Sequence, residues 1–191
     1  MYKRQFKVFK NNPTDSCSLA DNNVQDIAED RNKNIWVITD NGVHKIAHET
    51  GHIKRYHVKE TRFMHCCLRC RNGEFLFAGE KYLYQYDEQG DSLVYKDWLS
   101  STPIAPNIKA LQEDEEGNLY VASSQSGLAV LNKQREVIHY YKHDPDDPFS
   151  LIKGSICGLF TDSHKRLWIL SETSGLCYLC LLYTSDAADE L

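Results

Sequence analysis

The chain has 191 residues and a mass of 22.0 kDa, enough for an ordinary domain with a buried core. Its 41% hydrophobic and 26% charged residues exclude a disordered tail, and no apolar run reaches the ~18 residues of a bilayer-spanning helix. A net charge of −5 excludes a non-specific nucleic-acid binder, which needs a basic face, and 11 Tyr and 7 Phe against 5 Pro favour strands over helices.

In chain order, residues 1–5 come first. They can be read as GTG TAT AAG AGA CAG, one orientation of a sequencing adapter from transposase-based DNA libraries. The genuine sequence is therefore expected to begin at Phe6, with Phe6 to Phe9 as the last strand of a preceding unit. Next come an apolar strand at Val24 to Glu29, a polar turn at Asp30 to Asn34, and a continuous apolar strand at Ile35 to Thr39. Asp40-Asn41-Gly42 supplies a tight hairpin. An alternating strand at Val43 to Ala47, a turn at Glu49-Thr50-Gly51 and a fourth strand at Ile53 to Tyr56 complete the unit.

This unit repeats. Its landmark position reads Asp30, Cys70, Asp114 and Asp162, at steps of 40, 44 and 48 residues. The segment Phe9 to Leu19 parallels Tyr141 to Leu151 at an offset of 132. Four short strands every 40–48 residues predict an all-β fold, a β-propeller of about four four-stranded blades, with repeats at 22–60, 61–100, 106–151 and 152–179. Trp36, Leu76, Tyr120 and Trp168 are expected to stack each blade on its neighbour. Gly42, Gly127 and Gly175 mark the hairpin corners, where the second unit has Tyr82 instead. Residues 180–191 decode as the same adapter in the opposite orientation, leaving 6–179 as a partial propeller.

The repeat resembles that of the two-component regulator propeller family, roughly V-x-x-I-x-x-D-x-x-G-x-[IL]-W-[IV]-[GA]-T-x-x-G-[LV]. The matching residues are Val24, Ile27, Asp30, Ile35, Trp36, Val37, Thr39, Gly42 and Val43 in the first unit. In the fourth they are Ile156, Leu159, Asp162, Leu167, Trp168, Ile169, Gly175 and Leu176. The linker Asp144 to Leu151 also fits. Asn34 and Arg166 stand near the usual glycine, and Cys70 replaces the Asp. The resemblance implies a slice of a larger, seven-bladed ring, an open arc with exposed strand edges that aggregates. A closed four-blade ring completed by Phe6 to Phe9 is the rival. It further implies the periplasmic sensor of an inner-membrane hybrid histidine kinase that detects glycan-derived oligosaccharides and regulates transcription. The remaining blades and a downstream sensor domain would be its partners, with a homodimer of the parent and no nucleic acid bound by this part.

Several constellations read as structural. The Cys67-x-x-Cys70 pair within Cys66 to Cys70 has no second pair to complete a zinc tetrad, and Cys67 aligns with Ile27, Leu111 and Leu159, all expected as apolar core positions. His44, His48 and His52 fall on a strand, a turn and a strand start, and are expected in solvent. Asp144, Asp146, Asp147 and Glu113 to Glu116 lack calcium-loop spacing. Trp36 and Trp168 are expected in blade packing rather than as sugar platforms. No catalytic residue, metal site or cofactor is expected. Ligand candidates sit on the second hairpin of each unit, since loops on a rigid scaffold carry binding: Asp40 and Asn41, Glu80 and Lys81, Gln125 and Ser126, Glu172 and Thr173. A streptogramin-lyase-like propeller enzyme and a protein-interaction propeller are the alternatives.

Overall fold

A computed structural model describes residues 5–56, 63–80, 82–100, 104, 107–125 and 127–180. Every regular element among them is a strand. Strands β1 (Val24–Glu29), β2 (Ile35–Thr39), β3 (Gly42–Ile46) and β4 (Ile53–Tyr56) form an antiparallel meander, the first blade. The second is β5 (Met64–Arg69), β6 (Phe75–Gly79), β7 (Leu83–Asp87) and β8 (Ser92–Lys96). The third is β9 (Ile108–Glu113), β10 (Leu119–Ser123), β11 (Gly127–Leu131) and β12 (Val137–Tyr141). The fourth has three strands, β13 (Ile156–Thr161), β14 (Arg166–Ser171) and β15 (Gly175–Cys180). Three strands of the first blade carry the bounds expected from sequence, and the third starts one residue earlier, at Gly42. The chain divides into two compact units, residues 1–97 and 98–191, each holding two blades.

Within the first unit, one face of the first blade packs on the second. Trp36 is fully buried, with ring centroids 5.4 Å from Phe75, 5.1 Å from Phe77, 5.1 Å from Tyr56 and 4.7 Å from Tyr86. Ile38 and Val43 complete that face against Met64 and Tyr84. Strict alternation puts Val37 and Ile35 on the other face, with Leu19, Ile46 and Ile53. Within the second unit, Tyr120, Ala122, Leu128 and Val130 of the third blade pack on Leu167 and Ile169 of the fourth. Trp36 and Tyr120 thus stack as expected, and Leu76 is also fully buried. Trp168 differs: it packs on Tyr178, 5.2 Å between centroids, on a face where Phe160, Leu170, Leu176 and Tyr178 are exposed.

The landmark Asp has a definite job. In the first blade its Oδ1 accepts from the backbone N–H groups of Asn32 and Asn34, and its Oδ2 accepts from the Trp36 indole at 2.9 Å. Asp114 does the same for Glu116, Asn118 and the Tyr120 hydroxyl at 3.1 Å, and Asp162 for His164, Arg166 and the Trp168 indole at 2.9 Å. One carboxylate therefore shapes the turn and fixes the aromatic six residues on. In the second blade Cys70 stands at the Asp position, and the apolar Leu76 stands at the aromatic one.

Four expectations need correction. Phe6 to Phe9 forms no strand and Phe6 is wholly exposed; among the described residues it has no strand to pair with, and a lone strand is not stable in water. Ile27 is 62% exposed rather than a core residue, because no described blade covers its face of β1. The family's turn glycine corresponds to Lys33 and Lys165, not to Asn34 and Arg166. These lysines have φ of +63° and +59°, as Gly73 (+97°) and Gly117 (+81°) do in the other two blades. Finally, His44 is buried: its Nε2 accepts from the Ala20 N–H at 2.9 Å and its Nδ1 lies 3.2 Å from the Val37 carbonyl. A histidine with both ring nitrogens satisfied can replace an apolar residue on a packed face. His48 and His52 are exposed as expected.

Candidate ligand-binding end of the blades

The hairpin candidates lie at the same end of their blades, where the second strand turns into the third. In the first unit a backbone relay joins two of these ends: Phe63 N–H donates to the Asp40 carbonyl at 3.1 Å, and Glu80 N–H donates to the Phe63 carbonyl at 3.1 Å. Phe63 holds a positive φ of +69°, unusual for a bulky residue, and the residue is 43% exposed. Around it, Asp40 accepts from the side-chain amides of Asn23 and Gln25, each at 2.6 Å, and the exposed Asn41 donates to Asp21 at 2.7 Å. The surface is a set of amide–carboxylate pairs beside an accessible aromatic ring. Such groups can exchange hydrogen bonds with hydroxyls while the ring stacks on an apolar sugar face.

Glu80 is exposed, and Lys81 lies outside the described residues. In the second unit Gln125 is exposed, with its N–H donating to Ser123 Oγ, and Ser126 lies outside the described residues. Glu172 N–H donates to the Ser155 carbonyl at 2.9 Å, and Thr173 is exposed beside Ser171. Asp40, Asn41 and Glu80 are thus brought together within the first unit. Asn23, Gln25 and Phe63 belong to the same surface and were missed from sequence, because their roles depend on contacts between turns far apart in the chain.

At the opposite end of the first unit, a cavity of about 300 Å3 is lined by Arg31, Asn32, Lys45, Arg69, Tyr86 and Asp91, among others. Its floor is a lock between the two blades. Asp91, at φ +43° in the second blade, accepts from Tyr86 and pairs with Lys45 at 3.3 Å and with Lys54. Tyr56 also donates to it. Burial alone would raise the Asp91 pKa, but the Lys54 ammonium and the two tyrosine hydroxyls outweigh it and hold the carboxyl well below its usual range.

The tempting constellations are structural in this arrangement. All seven cysteines are free. Cys67 bonds Asp26 through its backbone N–H at 2.9 Å, and burial, with the neighbouring Asp26 carboxylate, pushes its thiol far above the usual range. Such a thiol is inert near neutral pH. Asp144 and Asp147 cap their own loop, and Glu115 pairs with Lys165 at 2.9 Å. Among the described residues no group of three or more His, Cys, Asp or Glu side chains is placed to hold a metal.

The comparisons follow this geometry. A family model described as two component regulator propeller matches residues 18–41, which run from the end of the first interblade loop through β2. Residues 18–41 are therefore similar to a two component regulator propeller repeat. No curated protein matches the sequence. Solved structures similar to this repeat chain include the extracellular domain of a B. thetaiotaomicron protein described as a hybrid two component system, at TM-score 0.70 and 22% identity. The match covers 85% of this chain and 22% of that one. A second such domain from the same organism matches at TM-score 0.56 and 18% identity, over 90% and 28% of the two chains. Virginiamycin B lyase from Staphylococcus aureus matches at TM-score 0.63 and 12% identity, over 87% and 58%. These likenesses establish the β-propeller fold. The chain spans about a fifth of the length of the first of these relatives.

Proposed function

We propose that this regulator propeller chain is part of the ligand-sensing region of a two-component system and works outside the cytoplasm. It takes an oligosaccharide at the hairpin ends of its blades and passes occupancy to a downstream signalling domain. The observation that carries the reading is the regulator propeller match at residues 18–41, supported by the fold shared with extracellular domains of described two-component systems. Asp40, Asn41, Glu80 and Phe63 are the residues proposed to meet the ligand.

Titration calorimetry of the 191-residue chain against a panel of oligosaccharides tests this. At least one should bind saturably, and Asn41→Ala with Phe63→Ala should weaken it about tenfold, the effect of losing a hydrogen bond and a stacking surface. Absence of binding across the panel, or unchanged binding by the double variant, overturns the reading. The fold shared with virginiamycin B lyase favours an enzyme as the second reading. Mass spectrometry after incubation with quinupristin separates the two, since a converted product would displace the sensor assignment.

A further inference from the structure

The turn after the first strand has the same backbone in all four blades but not the same charge. Two bonds close it each time: Asp30 to Asn34 and Lys33 to Asp30, then Cys70 to Glu74 and Gly73 to Cys70, and likewise at Asp114 and Asp162. The residues flanking the landmark position are Glu29 and Arg31 in the first blade, Arg69 and Arg71 in the second, Glu113 and Glu115 in the third, and Thr161 and Ser163 in the fourth. The turn therefore forms with acids, bases or hydroxyls at these places, and the fold asks for no cation there.

The arginines nonetheless meet in the first unit, and two of them cross between its blades. Arg31 Nη2 donates to the Arg71 carbonyl at 3.3 Å, and Arg69 Nη1 donates the other way to the Glu29 carbonyl at 3.4 Å. The Arg31 guanidinium sits in space that Gly73 leaves open, since a Cβ there would stand 2.2 Å from its Cζ. Each guanidinium is thus seated by one long hydrogen bond, although the group carries five N–H donors. Both residues are exposed and both line the cavity of about 300 Å3 over the Asp91 lock. The acids there are engaged: Asp30 by its own turn and the Trp36 indole, Asp91 by Lys45, Lys54, Tyr56 and Tyr86, and Glu88 by the Asn32 amide at 3.1 Å. Arg31, Lys45 and Arg69 balance Asp30, Glu88 and Asp91 in the lining, and Lys54 behind Asp91 leaves one positive charge in excess.

We propose that this cavity is a second binding site, for a small hydroxylated monocarboxylate of the sugar-acid class. Arg31 and Arg69 take the carboxylate, one from each blade, and Asn32 and Glu88 exchange hydrogen bonds with hydroxyls. A guanidinium fork matches the two oxygens of a planar carboxylate, which a lysine meets only as a point charge. A cavity of about 300 Å3 is at the small end of ligand pockets and suits one sugar ring rather than a chain. One negative charge on the ligand cancels the excess. Because Arg31 and Asn32 belong to the first blade and Arg69 and Glu88 to the second, an occupied site ties the two blades together. It does so at the end opposite the hairpin surface, whatever binds there.

The test is titration calorimetry of the 191-residue chain with glucuronate, with glucose as the neutral counterpart and inorganic sulfate as an anion without hydroxyls. Glucuronate should bind saturably at one site, about tenfold or more tighter than either control. Arg31→Gln and Arg69→Gln, both at exposed side chains, should each weaken it about tenfold, as expected for a lost charge-assisted hydrogen bond, with the melting of the unliganded chain little changed. Hydrogen exchange with glucuronate present should show new protection at residues 30–34 and 70–74. Absence of saturable glucuronate binding, or equal binding by glucose or by sulfate, overturns the proposal. So does unchanged affinity in both arginine variants, or protection confined to residues 39–42, which would place the acid at the hairpin end.

Discussion

At the scale of single residues, two kinds of position stand out. Lys33 and Lys165 occupy a left-handed turn site where the other two blades have glycine, and an L side chain there costs about 1–2 kcal/mol. Part of that returns as unfolded-chain entropy when glycine replaces it. Lys33→Gly and Lys165→Gly should therefore each raise stability, by up to about 1 kcal/mol in chemical denaturation. Asp91 is the second kind. Its folded pKa is depressed, so its contribution to stability is present above the unfolded value near 4 and is lost as pH falls below it toward the folded value. The thermal midpoint of the parent chain should fall more steeply below about pH 4 than that of Asp91→Asn, and 0.5 M salt should narrow the gap because the carboxylate is 44% exposed. Neither the Asp91 lock nor the buried His44 could be read from sequence. Each depends in part on partners more than twenty residues away, Lys45, Lys54 and Tyr56 for Asp91 and Ala20 for His44, whereas spacing reports only neighbours.

At the scale of strands and hairpins the sequence was far more legible. Period-two alternation and turn residues are local, so β1, β2 and β4 could be bounded before any contact was known. Alternation does not say which face finds a neighbour, which is why Ile27 and Trp168 misled. The hairpin glycines differ in a way that sequence also hides. A Cβ on Gly127, at φ +110°, would sit 2.2 Å from the Tyr141 carbonyl oxygen, whereas one on Gly175, at φ +86°, meets nothing within 4 Å. Gly175→Ala should cost about 1–2 kcal/mol from backbone strain alone. Gly127→Ala should cost clearly more, because β12 must also give way, and the two unfolding midpoints compared side by side decide it.

At the scale of the whole chain, each compact unit has its own aromatic or aliphatic core. In repeat proteins stability is close to a sum of local terms. Trp36→Ala removes a fully buried side chain that touches four other rings, a loss of about 3–5 kcal/mol. Hydrogen exchange should then accelerate throughout β1 to β8 and change little in β9 to β15. Uniform acceleration would mean that the two units unfold as one.

The carboxylate that ties each first turn to its aromatic makes two letters of the repeat interdependent. At position 70 an Asp alone would face Leu76, a side chain with nothing to donate. At position 76 a Trp alone would bury an indole N–H opposite a thiol, a poor acceptor. Either single step therefore gains less than the pair together, which is epistasis between the two positions. A blade that has lost the pair therefore regains it less readily than its neighbours keep it, and repeats within one chain can settle into two chemically distinct types.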